Sequence, residues 1–231
     1  MNNIIGYFLL GATMTAPQYL QEDSQSQFKD NISYSKENAH KYAQFGIEGT
    51  SWLAFRDTPE FIKKYVKGKK TLDLGCGAGR STRFLQSLGL DVIGTDISSE
   101  YLDQANSLDC NSHYVLMKKG MIPCVDNTYD FVFSSFVLLM EPSKKDLTNT
   151  LKEVNRVLKQ DGIFIAVTGS EEMHSVDKHW ISYETDFSEN KNPKSGDRLR
   201  LFIKGAEASF MTIIGLMKII YKFSRKADLQ C

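Results

Sequence analysis

Residues 71–79 read Thr-Leu-Asp-Leu-Gly-Cys-Gly-Ala-Gly. A short strand over residues 71–74 runs straight into three glycines at alternate positions, and residues 80–88 continue with helical spacing as far as Gly89. Glycines in such a turn permit positive φ and let a ligand approach the backbone without meeting a Cβ. The helix behind them presents free N–H groups and the positive end of its dipole. The arrangement suits an electron-rich group, a carboxylate or a ribose oxygen, and does not demand a phosphate.

The rest of the chain repeats the strand–helix alternation. Strands are predicted over residues 91–95, 113–117, 129–134 and 162–168. A helix opens at Ser98-Ser99-Glu100 and runs to about Leu108. Another covers residues 144–159 and carries Leu147, Leu151, Val154 and Leu158 on one face. Helices are also predicted over residues 36–45 and after Asp57-Thr58-Pro59, where proline suits a first turn. Apolar strands separated by helices imply an α/β fold, a Rossmann-like and mostly parallel sheet with helices on both faces.

The 231 residues suffice for one such domain, and the 28 Lys+Arg balance the 28 Asp+Glu. That balance leaves no electrostatic footprint for nucleic acid or an anionic membrane, and implies no partner of either kind. Cys76, Cys110, Cys124 and Cys231 have no CxxC spacing and no histidine at zinc-ligand distance. No metal is therefore expected, and reduced thiols point to a cytoplasmic protein. The apolar run near the start lacks a basic flank and is too short to span a bilayer. Residues 1–30 are read as a loosely ordered segment and residues 31–231 as a single domain, with Met14 a second possible start.

Asp96 ends the strand over 91–95, about twenty residues past the glycine turn, where a carboxylate meets two ribose hydroxyls. Nicotinamide-dependent oxidoreductases and methyltransferases share this device. The glycine spacing is G-x-G-x-G, not the G-x-G-x-x-G of dinucleotide sites. With Asp73 two residues ahead, it resembles motif I of the class I S-adenosylmethionine (SAM)-dependent methyltransferases. Two later stretches carry the same resemblance: Gly120-Met121-Ile122-Pro123 with Asp126-Asn127-Thr128-Tyr129-Asp130-Phe131-Val132, and the segment from Leu151 through Gly162. The resemblance implies that Gly75 and Gly77 pack under the methionine part of SAM and that Asp73 orients that region, directly or through water. Cys76, Asp96, Ile97, Gly120, Met121 and Ser134 complete the expected cofactor-binding set, with Asp96 at the ribose. Tyr34 and Tyr42, at an aromatic-x₇-aromatic spacing, resemble the family's N-terminal cofactor cover. One position departs from the family. Five residues before Pro123, where many members place an acid that accepts a hydrogen bond from the adenine amine, this chain has Lys118, which cannot accept it. Adenine would then be held by backbone groups around residues 119–121, or bound less tightly.

The chain lacks the Asn/Asp-Pro-Pro-aromatic signature of amino-methylating DNA enzymes, and its apolar stretch after Ser135 suits a small-molecule acceptor. Methyl transfer depends chiefly on alignment, and no catalytic dyad is identified. Residues 170–197 form a lid-like insertion whose His174, His179, Trp180 and Tyr183 are candidates to line the acceptor site. A non-catalytic SAM-binding protein is the alternative, and an oxidoreductase a more distant one.

Residues 198–203 alternate like a sixth strand, but the tail over 208–231 is atypical. Its apolar run at 210–221 stands where the family continues with a helix and a final antiparallel strand, which are expected to be altered or missing. Reading each codon's last base with the next two converts Met211-Thr212 to Asp and Met217-Lys218 to Glu, as a frameshifted version of the family's ending would require. On this reading the sixth strand loses its pairing partner.

Overall fold

Strands that are apolar at successive positions must be covered on both faces, and the central sheet is built that way. The computed structural model describes residues 5–11, 35–169, 183–191, 197–204 and 208–213. Its main sheet has six strands in the order β1 (Ile5–Gly11), β6 (Leu158–Gly169), β5 (Tyr129–Ser135), β2 (Lys70–Leu74), β3 (Asp91–Asp96) and β4 (His113–Leu116). From β6 across to β4 the neighbours are parallel. The pleat sorts side chains into two clusters. Phe131, Phe133, Ile165 and Val167 pack with Leu85 of α3 (Arg80–Ser87) and with Phe55 ahead of α2 (Thr58–Tyr65). Val132, Phe164, Ala166, Leu72 and Leu74 pack with Leu147, Leu151 and Val154 of α5 (Lys144–Val157). The expected α/β architecture, helices on both faces of a mostly parallel sheet, is the one observed.

Local signals fixed the element starts. Pro59 lies in the first turn of α2. Ser98 caps α4 (Ser99–Leu108) by accepting the Tyr101 N–H, and Ser143 caps α5 by accepting the Asp146 N–H. The expected strand at 162–168 begins earlier, at Leu158, which pairs with Tyr129 ahead of a register shift. Helix α1 (Lys36–Ala43) lies on α4 through Ala39, Tyr42 and Tyr101.

Two expectations about the chain's ends need correction. Within the segment read as loosely ordered, residues 5–11 form β1, antiparallel to β6 from Ile5 opposite Gly169 to Gly11 opposite Ile163. An unpaired strand edge satisfies its amides by recruiting any strand that reaches it, near in sequence or not. The sixth strand likewise keeps a partner. It is β8 (Arg198–Ile203), flanked in a second, antiparallel sheet by β7 (Tyr183–Glu184) and by β9 (Ala208–Ile213), the start of the odd apolar run. Residues 214–231 lie outside the described residues.

Candidate functional site

The turn between β2 and α3 is shaped by its glycines. Gly75 and Gly77 have φ of 72° and 53°. A Cβ on Gly75 would stand 2.2 Å from Val137 Cγ2, so side chains other than glycine are excluded on two counts. At Gly77 the nearest atoms to such a Cβ are 3.5 Å away, on Tyr42, which leaves its backbone open to a cavity. The Thr95 carbonyl accepts the N–H groups of both Gly75 and Cys76, at 2.8 and 2.9 Å, and ties the turn to β3.

Asp96 completes that tie. Its Oδ2 accepts the Gly77 N–H at 2.8 Å and its Oδ1 accepts the Ser98 N–H at 3.0 Å. Burial pushes this carboxyl above its ordinary range, and the backbone N–H groups oppose that rise. Asp96 lines the cavity, and a carboxylate offers more acceptor sites than these backbone N–H groups fill. Asp73 sits behind the turn, fully buried, its Oδ2 accepting from Ser81 Oγ at 2.6 Å and Thr82 Oγ1 at 2.7 Å. It anchors α3 to β2. Burial, more than any neighbour, pushes its carboxyl up to about 6.

A cavity of about 220 Å³ opens over the C-terminal ends of the strands. Of the residues singled out from sequence, Tyr42, Gly75, Gly77, Asp96, Ile97 and Gly120 line it. Asp73, Cys76, Met121 and Ser134 do not. Cys76 is buried beneath the turn, where burial raises its thiol well above the usual value. Met121 is 59% exposed. Ser134 is buried, and its neighbour Ser135 takes the wall position instead. Lys118 likewise lines no part of the cavity. Tyr34, His174, His179 and Trp180 lie outside the described residues, whereas Tyr183 reaches the wall.

Sequence reasoning missed several contributors. Arg80 donates to Tyr42 Oη at 3.2 Å and to the Gly46 carbonyl at 3.3 Å, and its guanidinium lies 5.4 Å from the Tyr42 ring centre. It holds the α1 cover over the turn. Leu201, Ile203 and Thr212 of the second sheet close the far wall. Glu141 lines the cavity too, and the one signal for it was an acid ending an apolar run ahead of Pro142.

The cavity fits SAM on the evidence of its own groups. A ribose-bearing ligand would meet the Asp96 carboxylate beside an open glycine backbone, and the buried Ser135 Oγ and Glu141 Oε2 take no hydrogen bond from the protein. Gly75, Gly77 and Asp96 would hold the cofactor. Among the described residues, no group of three or more His, Cys, Asp or Glu is placed to hold a metal ion, and no helix is long and apolar enough to cross a membrane.

A methyltransferase-domain family model matches residues 72–166. An uncharacterized methyltransferase of Synechocystis is 36% identical over 100 residues, 43% of this chain and 47% of the relative. A malonyl-[acyl-carrier protein] O-methyltransferase of Pseudescherichia vulneris is 27% identical over 121 residues, 52% of this chain and 47% of that protein. The chain thus spans less than half the length of these curated relatives. A crystal structure from Pyrococcus horikoshii shares the fold, with a TM-score of 0.59 at 21% identity over 82% of this chain and 89% of that one. Glycine turn, strand-end carboxylate and family match agree: residues 72–166 are a methyltransferase domain of the class I SAM-dependent type, for which the cofactor is S-adenosylmethionine.

Proposed function

We propose that this chain transfers the methyl group of SAM to a small-molecule acceptor in the cytoplasm. One observation carries the reading: the cavity lined by Gly75, Gly77 and Asp96 is also lined by Leu201, Ile203 and Tyr183, so cofactor and acceptor would share one partly open, largely apolar space. When bound, SAM supplies an electrophilic methyl group on a sulfonium sulfur. The glycine turn and Asp96 hold one end of the space rigid. Phe136, Val137 and Met140 and, from the second sheet, Leu201 and Ile203 give the cavity an apolar wall against which an acceptor would be aligned.

The test is transfer of labelled methyl from SAM into a small-metabolite extract, run beside the Asp96→Ala variant. Label in small molecules with the wild type and none with the variant supports the proposal. Label confined to macromolecules overturns the acceptor class. Tight SAM binding with no transfer to any fraction supports a binding protein without turnover.

A further inference from the structure

Lys118 leaves the adenine amine without the acceptor that the family resemblance calls for. In the turn that follows, the Lys118 carbonyl accepts the Met121 N–H at 3.0 Å, so one of its lone pairs is already used. Beside that turn stands Glu141, which follows the single helical turn Leu138–Met140. Glu141 is 7% exposed. Its Oε1 accepts from Thr150 Oγ1 at 2.6 Å, which fixes the rotation of the carboxylate. Its Oε2 is buried, takes no hydrogen bond, and lies 3.8 Å from Lys119 Nζ on the cavity wall. The ammonium offsets the charge of this buried oxygen from beyond hydrogen-bond distance, which leaves the oxygen able to accept a hydrogen bond from a ligand donor.

The position of Glu141 indicates which donor. Asp96 marks the ribose. Ile97, Met117, Lys119 and Gly120, which follow the ends of β3 and β4, line the same cavity, and Gly120 lies in the stretch to which the resemblance assigns the adenine. Glu141 lines the cavity together with Lys119 and Gly120 and stands 3.8 Å from Lys119 Nζ. We propose that Glu141 replaces the missing acid: its Oε2 accepts a hydrogen bond from the exocyclic amine of adenine and sets the base specificity of the cofactor site. The proposal rests on the SAM reading. Adenine presents a donor at this position and hypoxanthine an acceptor, and an acceptor-only carboxylate distinguishes the two sharply.

The experiment is calorimetric titration of the purified chain with S-adenosylhomocysteine and its inosine counterpart. The wild type should prefer the adenine compound by at least about tenfold. Glu141→Gln, whose amide both donates and accepts, should bring the two affinities to within about threefold of each other. Thr150→Val, which frees the carboxylate to rotate, should reduce the preference part of the way, and it decides the matter if Glu141→Gln does not fold by circular dichroism. A wild type without preference, or a preference unchanged in the folded variant, overturns the role of Glu141. A wild type that binds neither compound overturns the cofactor reading itself.

Discussion

Asp73 is a carboxylate held where charge is unwelcome, and its protonation should be visible in the stability of the cofactor-free protein. Its side chain is fully buried; two hydroxyls serve Oδ2, and Oδ1 has no hydrogen-bond partner. Burial and the nearby charge of Asp96 raise the carboxyl from about 3.8 to about 6, against the pull of Ser81 and Thr82. The folded state therefore binds the proton more tightly than the unfolded state. The associated stability is fully present below pH 3.8 and is lost as pH rises to about 6. The whole effect is worth about 3 kcal/mol, of which about 2 kcal/mol falls between pH 4 and pH 7. Asp73→Asn keeps the shape and removes the titration. Urea unfolding of both proteins across this range should show wild-type stability dropping relative to the variant by about 2 kcal/mol. Parallel curves, or a wild type that gains on the variant as pH rises, would refute the assignment of a raised carboxyl to Asp73.

Three further outcomes follow from the site and the sheet. Asp96→Ala should weaken S-adenosylhomocysteine binding roughly 100-fold by calorimetry, because it removes charge-assisted acceptors and orphans the Gly77 N–H; a loss under threefold would contradict its place at the ribose. Gly75→Ala puts a Cβ at φ 72° and 2.2 Å from Val137, and should cost about 2–4 kcal/mol in thermal unfolding; an unchanged melting temperature would mean the turn relaxes freely. A chain begun at Met14 lacks β1 and uncovers the outer edge of β6, and should elute as larger species in size-exclusion chromatography; a monomer of unaltered stability would show that β1 does not protect the sheet.

Much of the fold was legible from residues 71–168 because its signals are local. The positive φ values at Gly75 and Gly77 demand glycine whatever surrounds them. Ser98 and Ser143 cap helices through amides three residues away. Uninterrupted apolar runs such as Phe131 to Phe133 announce strands buried on both faces. That property is also why Ser134 was chosen for the wall and Ser135 was found there. When both faces of β5 are covered, no polar alternation tells which of two adjacent serines turns to the cavity.

Long-range pairing accounts for the rest. Nothing within residues 5–11 reveals that they will meet residues 163–169, because the demand comes from the open amides of β6. Arg198–Ile203 could be read as a strand, but its neighbours were set by which segments reached its two edges, not by its own alternation. Glu141 is separated from Lys119 by 22 positions in the chain and joins it only after β5 and its following turn fold back over the end of β4. Sequence alone was thus enough for the binding turn, whose positive φ values are local, and for Asp96, which ends the next strand of the strand–turn–helix–strand pattern and so reaches the Gly77 N–H from 19 positions away. The strand at the sheet edge, the partner of β8 and the acid beside Lys119 came from the assembled sheet, since each depends on contacts whose distance along the chain carries no local signature.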